Sequence, residues 1–198
     1  ANSSGQGEPE QPEKPVEPDK PAEPEIPDDP SVSPTIKVEP KEFIFNELLP
    51  NPFAGGSEYF ELYNRSDRSL PLSGLSVAVR KTDGTLSTRY PLSSINTLIE
   101  PDGYAVLTKS IEGVADFYMV TSPASLFEIS KLPILANTSS TLVLFRTEEG
   151  TIIDEVSYSS KWHASSIKDQ KGVALERIDP EAETQSPSNW TSASATAG

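Results

Sequence analysis

FIFNELLPNPFAGGSEYFELYN, residues 43–64, decides how the rest of the chain reads. FIFNELL and EYFELY are short runs rich in aromatic and branched residues, with the polar Asn46, Glu47 and Glu61 set among apolar positions. Such composition favours extended strands. Between them lies PNPFAGGS, whose Pro, Asn and Gly suit only a turn or loop. Two strand-like runs joined by turn chemistry predict neighbouring antiparallel strands opening an all-β domain.

Downstream, the same grammar repeats. A turn at 64–69 leads to a strand near 75–80, and Asp83-Gly84 is a favoured tight-turn pair before a strand at 86–91. Pro101-Asp102-Gly103 turns the chain into a strand at 104–108. Residues 109–140 are the least readable. FYMV (117–120) is assigned to a short edge strand, and SPASLFEI (122–129) to a helical turn or two, with Ser122 as N-cap and Pro123 at the first helical position. Residues 140–159 form a second hairpin turning at Glu149-Gly150, and 171–178 a last strand; beyond Asp179-Pro180 the chain is polar and Trp190 is the one residue expected inside. Eight or nine short strands with turns between them predict an all-β, immunoglobulin-like β-sandwich. Its core is assigned to Phe43, Phe45, Phe60, Leu62, Leu75, Val77, Val106, Leu142, Leu144, Ile153 and Leu175.

Residues 1–42 differ in kind. They hold ten of the nineteen prolines and eleven acids against four lysines. From position 9 to position 30 a proline falls at every third residue. Polyproline II has three residues per turn, so these prolines would line one edge, with charged residues on the others. A segment of 22 such residues could span roughly 70 Å. A semi-rigid stalk, a disordered linker and a ligand for a proline-recognising domain all remain open for it. Residues 43–198 are then one domain of a size that buries about two-thirds of its unfolded surface.

Composition removes several function classes. With no cysteine there are no disulfides, thiolate metal sites or cysteine nucleophiles. A net charge of −14 opposes nonspecific binding to nucleic-acid phosphates or anionic lipid, so no nucleic-acid partner is expected. No apolar run approaches the ~18 residues of a membrane span. The polar, small-residue start ANSSGQGEPE resembles the segment after the lipid-modified cysteine of an exported bacterial lipoprotein. That makes a lipid anchor upstream of Ala1 the one expected tie to a membrane.

A family resemblance fits this reading. Asn46-Glu47-Leu48, Glu58-Tyr59-Phe60-Glu61-Leu62-Tyr63-Asn64 and Leu72-Ser73-Gly74-Leu75 resemble the opening of the lamin tail domain family. Pro101-Asp102-Gly103-Tyr104 and Ile153-Asp154-Glu155 continue the likeness. Trp162-His163, Asp169, Gly172-Val173, Leu175-Glu176-Arg177 and Asn189-Trp190 are similar to the end of its bacterial, Bacteroidetes-type branch. The likeness spans about 43–198. It implies an immunoglobulin-like sandwich, used as an accessory unit of exported, cell-envelope or secreted proteins. A Gly-Thr-Pro-Gly-type ending usual in that branch is missing, so the chain is expected to stop short of its natural end.

Candidate chemistry is sparse. His163 is the only histidine, and a His163/Asp169 pair is conceivable, but a structural histidine bonded to a backbone group is the expected role. Glu47 and Glu61 would lie close if the first two strands pair, and paired carboxylates can bind calcium or act as glycosidase acid and base. The competing assignment makes them cross-strand partners of Arg80, Arg89 or Arg177. Glu176 and Arg177 are adjacent on a strand and face opposite sides; one of them is expected to form an ion pair that pins the strand. Exposed aromatics, taken as Tyr59, Tyr63, Tyr118, Tyr158 and Trp162, could stack against sugars. The ligand-binding candidates are therefore Tyr59, Tyr63, Trp162 and His163, with Glu47 and Glu61 as the weaker metal candidates. No cofactor is expected. Asn64, Asn137 and Asn189 fit the N-glycosylation pattern, which short sequences meet by chance.

These readings make the protein a monomeric, non-catalytic interaction module outside the cytoplasm, at the cell surface or in the periplasm of a Gram-negative bacterium, or secreted. Its partner would be an envelope protein or a glycan. The alternative is an accessory domain of a larger exported hydrolase or nuclease.

Overall fold

A computed structural model describes residues 36–194, which contain twelve strands and almost no helix. In chain order the strands are β1 (Phe43–Leu49), β2 (Tyr59–Asn64), β3 (Leu70–Pro71), β4 (Leu75–Val79), β5 (Tyr90–Pro91) and β6 (Leu98–Ile99). There follow β7 (Tyr104–Thr108), a one-turn helix α1 (Glu112–Ala115), β8 (Leu126–Glu128), β9 (Ser139–Arg146), β10 (Ile152–Ser159), β11 (Leu175–Arg177) and β12 (Trp190–Ser192). A six-stranded sheet in the order β12-β11-β1-β2-β7-β8 faces a four-stranded sheet in the order β10-β9-β4-β5, and β3 pairs β6 beside them. The fold is an all-β sandwich. The proline repeat of residues 9–30 lies outside the described residues.

Both expected hairpins form, β1 with β2 and β9 with β10, and Gly150 takes the positive φ of +71° at the second turn. Every assigned core residue is buried except Val106, which lies half-buried on the outer side of the six-stranded sheet. Phe45 meets Phe60 edge-on at 5.8 Å in the middle of the core, a favourable geometry for two rings. Trp190 is buried as expected, but as part of β12 on the edge of the six-stranded sheet.

Several expectations are corrected. Residues 117–120 form no strand: they follow α1 as a turn, and the pairing falls instead to β8, parallel to β7. The strand expected at 86–91 shrinks to a bridge at Leu86 and the two residues of β5. Ser122 and Pro123 do open a helical turn, at Pro123–Ser125. The packed chain also reaches back before Phe43. Val38 is buried in the main core, and the Lys41 amide donates to Ile153 O at 2.8 Å.

A bulge in β1 decides which side chains reach each face of the six-stranded sheet. Register slips between Phe45 and Glu47, where Phe45 pairs Leu62 and Glu47 pairs Glu61, leaving Asn46 as the extra residue. In an unbroken strand, 43, 45 and 47 would share one face. The bulge reverses the phase, so Phe43, Phe45 and Leu48 fill the core while Glu47 turns outward. The backbone groups around the bulge find partners elsewhere. Phe45 N donates to Asp154 Oδ2 at 2.9 Å, and Arg177 Nε donates to Phe45 O at 2.8 Å. Asp154 also accepts from Lys41 Nζ at 2.7 Å and from Thr184 Oγ1 at 2.9 Å. Arg177 reaches Thr184 Oγ1 and lies 5.2 Å over the Trp190 ring, 3.9 Å from Asp154. The ion pair expected from the Glu176-Arg177 dipeptide is therefore Arg177 with Asp154, and it ties the two sheets together.

Asn64, a nominal glycosylation site, is wholly buried. Its amide donates to the carbonyls of Arg68, Ile99 and Glu100 at 2.8, 2.9 and 3.0 Å and so ties the turn after β2 to the end of β6.

Candidate functional site

The outer face of the six-stranded sheet carries an unusual row of side chains. Glu47 on β1 pairs Glu61 on β2 and Glu176 on β11, so three carboxylates follow one another across three adjacent strands. Strands lie about 4.8 Å apart, and like charges set directly opposite repel. The sequence assigns arginine partners to Glu47 and Glu61, and the structure corrects this. Arg80 is held by Glu155, Arg89 lies over the Phe145 ring at 5.2 Å, and Arg177 enters the interior on the opposite side from Glu176.

The two glutamates are bonded to neutral groups. Glu47 accepts from the Tyr59 hydroxyl, and Glu61 accepts from Asn46 Nδ2 at 2.8 Å. Burial pushes the Glu47 carboxyl up to about 7, and the charges of Glu61 and Glu176 act in the same direction against the Tyr59 bond. Burial also raises Glu61, with Glu176 adding to it. The Tyr59 hydroxyl is raised by burial and by Glu47 beside it.

A groove of about 670 Å³ opens over this face. Its floor is the outer side of β1, β2 and β7, through Glu47, Tyr59, Glu61, Tyr104 and Val106. One wall is the segment from α1 to β8, through Val114, Phe117, Tyr118, Met119 and Leu126; the other is built by Ile167, 172–174 and 193–194. Phe53, from the loop between β1 and β2, closes one end by packing on Phe117 at 5.7 Å and on Tyr118 at 6.4 Å.

Gly172 joins these loops. Its amide donates to Asn51 O at 2.7 Å and its carbonyl accepts from the Tyr118 hydroxyl at 2.9 Å. It has φ of +73°, and a Cβ there would stand 2.2 Å from the Phe53 ring. Only glycine allows both the backbone turn and that close approach.

The candidate residues fall in three places. Glu47, Glu61 and Tyr59 line the groove together. Tyr63 lies further along β2, tilted against Tyr104 at 5.0 Å, and donates to Asp102 Oδ1 at 2.6 Å, a bond that raises the phenol to about 12. Trp162 stacks on Trp190 at 6.0 Å. His163 Nδ1 meets Ser192 Oγ at 2.9 Å, a side-chain partner where a backbone one is expected, and burial lowers its basicity. Asp169 instead accepts from the Lys171 amide at 3.0 Å. Two aromatics taken as exposed are buried: Tyr59, and Tyr158, whose hydroxyl donates to Ala136 O at 2.7 Å.

The groove's upper wall is what sequence reasoning missed. The sequence assigns 117–120 to an edge strand and singles out only Tyr118 there as a stacking aromatic; Phe117 and Met119, exposed on that wall, are the residues it misses. Among the described residues no group of three or more His, Asp or Glu side chains converges as a metal site requires. No helix among them is long and apolar enough to cross a membrane.

No family model matches the chain, and no curated protein matches it. Among solved structures it is similar to the crystal structure of a DUF4876 family protein from Bacteroides thetaiotaomicron. The two are 15% identical, the match covers 82% of this chain and 70% of that one, and the TM-score is 0.42.

Proposed function

We propose that the protein is a non-catalytic interaction module of the cell envelope, a lamin-tail-type sandwich outside the cytoplasm that meets a protein or glycan through the groove on its six-stranded sheet. The single observation behind this reading is the groove: about 670 Å³, walled by aromatic and aliphatic side chains, with a few polar groups grouped on its floor. Ligand sites have this character and size, roughly 300–1,000 Å³ with few polar contacts. The overall charge of −14 and the acidic floor both disfavour nucleic acid.

The paired carboxylates give a catalytic reading its own support, since a glycosidase uses two. Acid–base catalysis, however, needs one carboxyl kept protonated and its companion ionised. Here burial raises both Glu47 and Glu61. Burial carries Glu47 further than Glu61, a difference that a catalytic pair would also show, so the hydrolysis assay below is what separates the two readings.

The test is a glycan-array screen and a capture experiment from envelope extract, run on the full chain and on Val106→Trp, which puts an indole on the groove floor. A defined partner retained by the native protein and lost by Val106→Trp is the expected result. Equal capture by both moves the binding surface elsewhere. Hydrolysis of chromogenic glycosides that Glu47→Gln abolishes would make the domain an enzyme.

A further inference from the structure

We infer that the groove is a lysine-binding site: it receives the side chain of a lysine on a partner polypeptide, the ammonium between Glu47 and Glu61 and the aliphatic stem along Val106, Leu126 and Tyr118. The inference deepens the proposed function and rests on the groove being the binding surface.

Three observations carry it. First, the floor holds negative charge that no ion pair among the described residues neutralises. Glu47 and Glu61 each accept one hydrogen bond from a neutral side chain, and the charges that act on Glu47 are those of Glu61 and Glu176, both negative. A cation placed there removes a repulsion as well as forming bonds. Second, the surfaces leading to the carboxylates are apolar, with Val106, Leu126 and Tyr118 forming one continuous cluster with Tyr59. A lysine stem buries methylenes against such a wall while its head stays polar. An amino sugar would bring the same charge, but its hydroxyls would face aliphatic side chains. Third, the two carboxylates come from neighbouring strands about 4.8 Å apart. A compact ammonium with three donors can reach an oxygen of each, whereas a guanidinium fork is matched to the two coplanar oxygens of one carboxylate.

The titratable groups facing this point are Glu47 from β1, Tyr59 and Glu61 from β2, Tyr104 from β7, Tyr118 from the α1 segment and Glu176 from β11. An ammonium favours the ionised form of Glu47. Binding is therefore expected to strengthen from pH 5.5 to pH 8, the range in which that carboxyl loses its proton.

The probe is the peptide acetyl-Gly-Leu-Lys-Leu-Gly-amide, titrated into the protein of residues 1–198 and followed by amide shifts of Val106 and Leu126. Controls are the Nε-acetylated peptide, the arginine peptide and a chitosan oligosaccharide. Expected is saturable binding of the lysine peptide. Acetylation, or Glu47→Gln with Glu61→Gln, should weaken it about tenfold or more, the range for losing a charged hydrogen-bond partner. Glu148→Gln, exposed in the turn between β9 and β10 of the other sheet, should bind normally. Both Gln variants keep side-chain volume, and their thermal unfolding verifies the fold. If the acetylated, arginine or chitosan probe binds as well as the lysine peptide, the lysine assignment is overturned and the groove reading stands. The same holds if the lysine peptide fails while a partner sensitive to Val106→Trp is captured. If no probe shifts the groove and capture ignores Val106→Trp, both readings fall.

Discussion

Replacing Glu47 with Gln should stabilise this protein at pH 8 and leave it nearly unchanged at pH 5. Glu47 sits half-buried between Glu61 and Glu176, and its proton affinity rises from an ordinary 4.5 to about 7. A carboxyl raised in this way is favoured by the fold in its neutral form. Its stabilising contribution is complete below the unfolded value and is lost as pH climbs through the folded one. At about 1.4 kcal/mol for each tenfold change in proton affinity, the native protein loses at most roughly 3 kcal/mol over that climb. Water reaching the groove lowers this to about 2 kcal/mol between pH 5 and pH 8. Glutamine keeps the acceptor for the Tyr59 hydroxyl and cannot ionise, so the variant escapes the loss. For a domain of this size about 2 kcal/mol corresponds to roughly 4–8 °C in Tm. The assay is urea denaturation of both proteins at the two pH values, with equal m-values as the check that the unfolded states match. An unchanged or lower midpoint for Glu47→Gln at pH 8, or an equal gain at both pH values, would refute the reasoning.

Two further perturbations test the framework of the site. Arg177→Ala removes the donors to Phe45 O, Ala182 O and Thr184 Oγ1 and leaves the carboxylate of Asp154 inside the sandwich without its arginine. The expected cost is about 3–5 kcal/mol in a denaturant titration, and a cost under about 1 kcal/mol would show that the two sheets do not depend on this contact. Gly172→Ala places a methyl on the Phe53 ring at a left-handed backbone position. A loss of about 1–3 kcal/mol is expected, together with shifted amide resonances for Tyr118 and Val106, because the ring that moves closes the groove. Unperturbed groove resonances would separate Gly172 from the site.

The long strands were legible because their causes are local. The aromatic and branched runs over 43–49 and 59–64, the Glu149-Gly150 turn and the Pro-Asp-Gly turn before β7 each lie within a few neighbouring residues, and the structure keeps all of them. The core list followed from the same apolar runs. By itself the sequence thus determined the sandwich, its two main hairpins and the absence of thiol chemistry. Tertiary structure decided the rest. The two- and three-residue strands β3, β6, β8 and β12 have no pattern of their own and exist by pairing with partners far along the chain. The segment 109–140 was opaque because its apolar residues are divided: Val114, Tyr118 and Leu126 serve the outside of a sheet, whereas Ile129, Leu132 and Leu135 enter the main core. Most telling is Glu47. Counting by twos from Phe43 places it in the interior, and one extra residue at Asn46 turns it outward beside Glu61 and Glu176. Simple alternation does not locate a bulge whose freed backbone groups are satisfied by Asp154 and Arg177, more than a hundred residues away. The carboxylate row depends on that long-range bonding, and so does the groove floor built upon it.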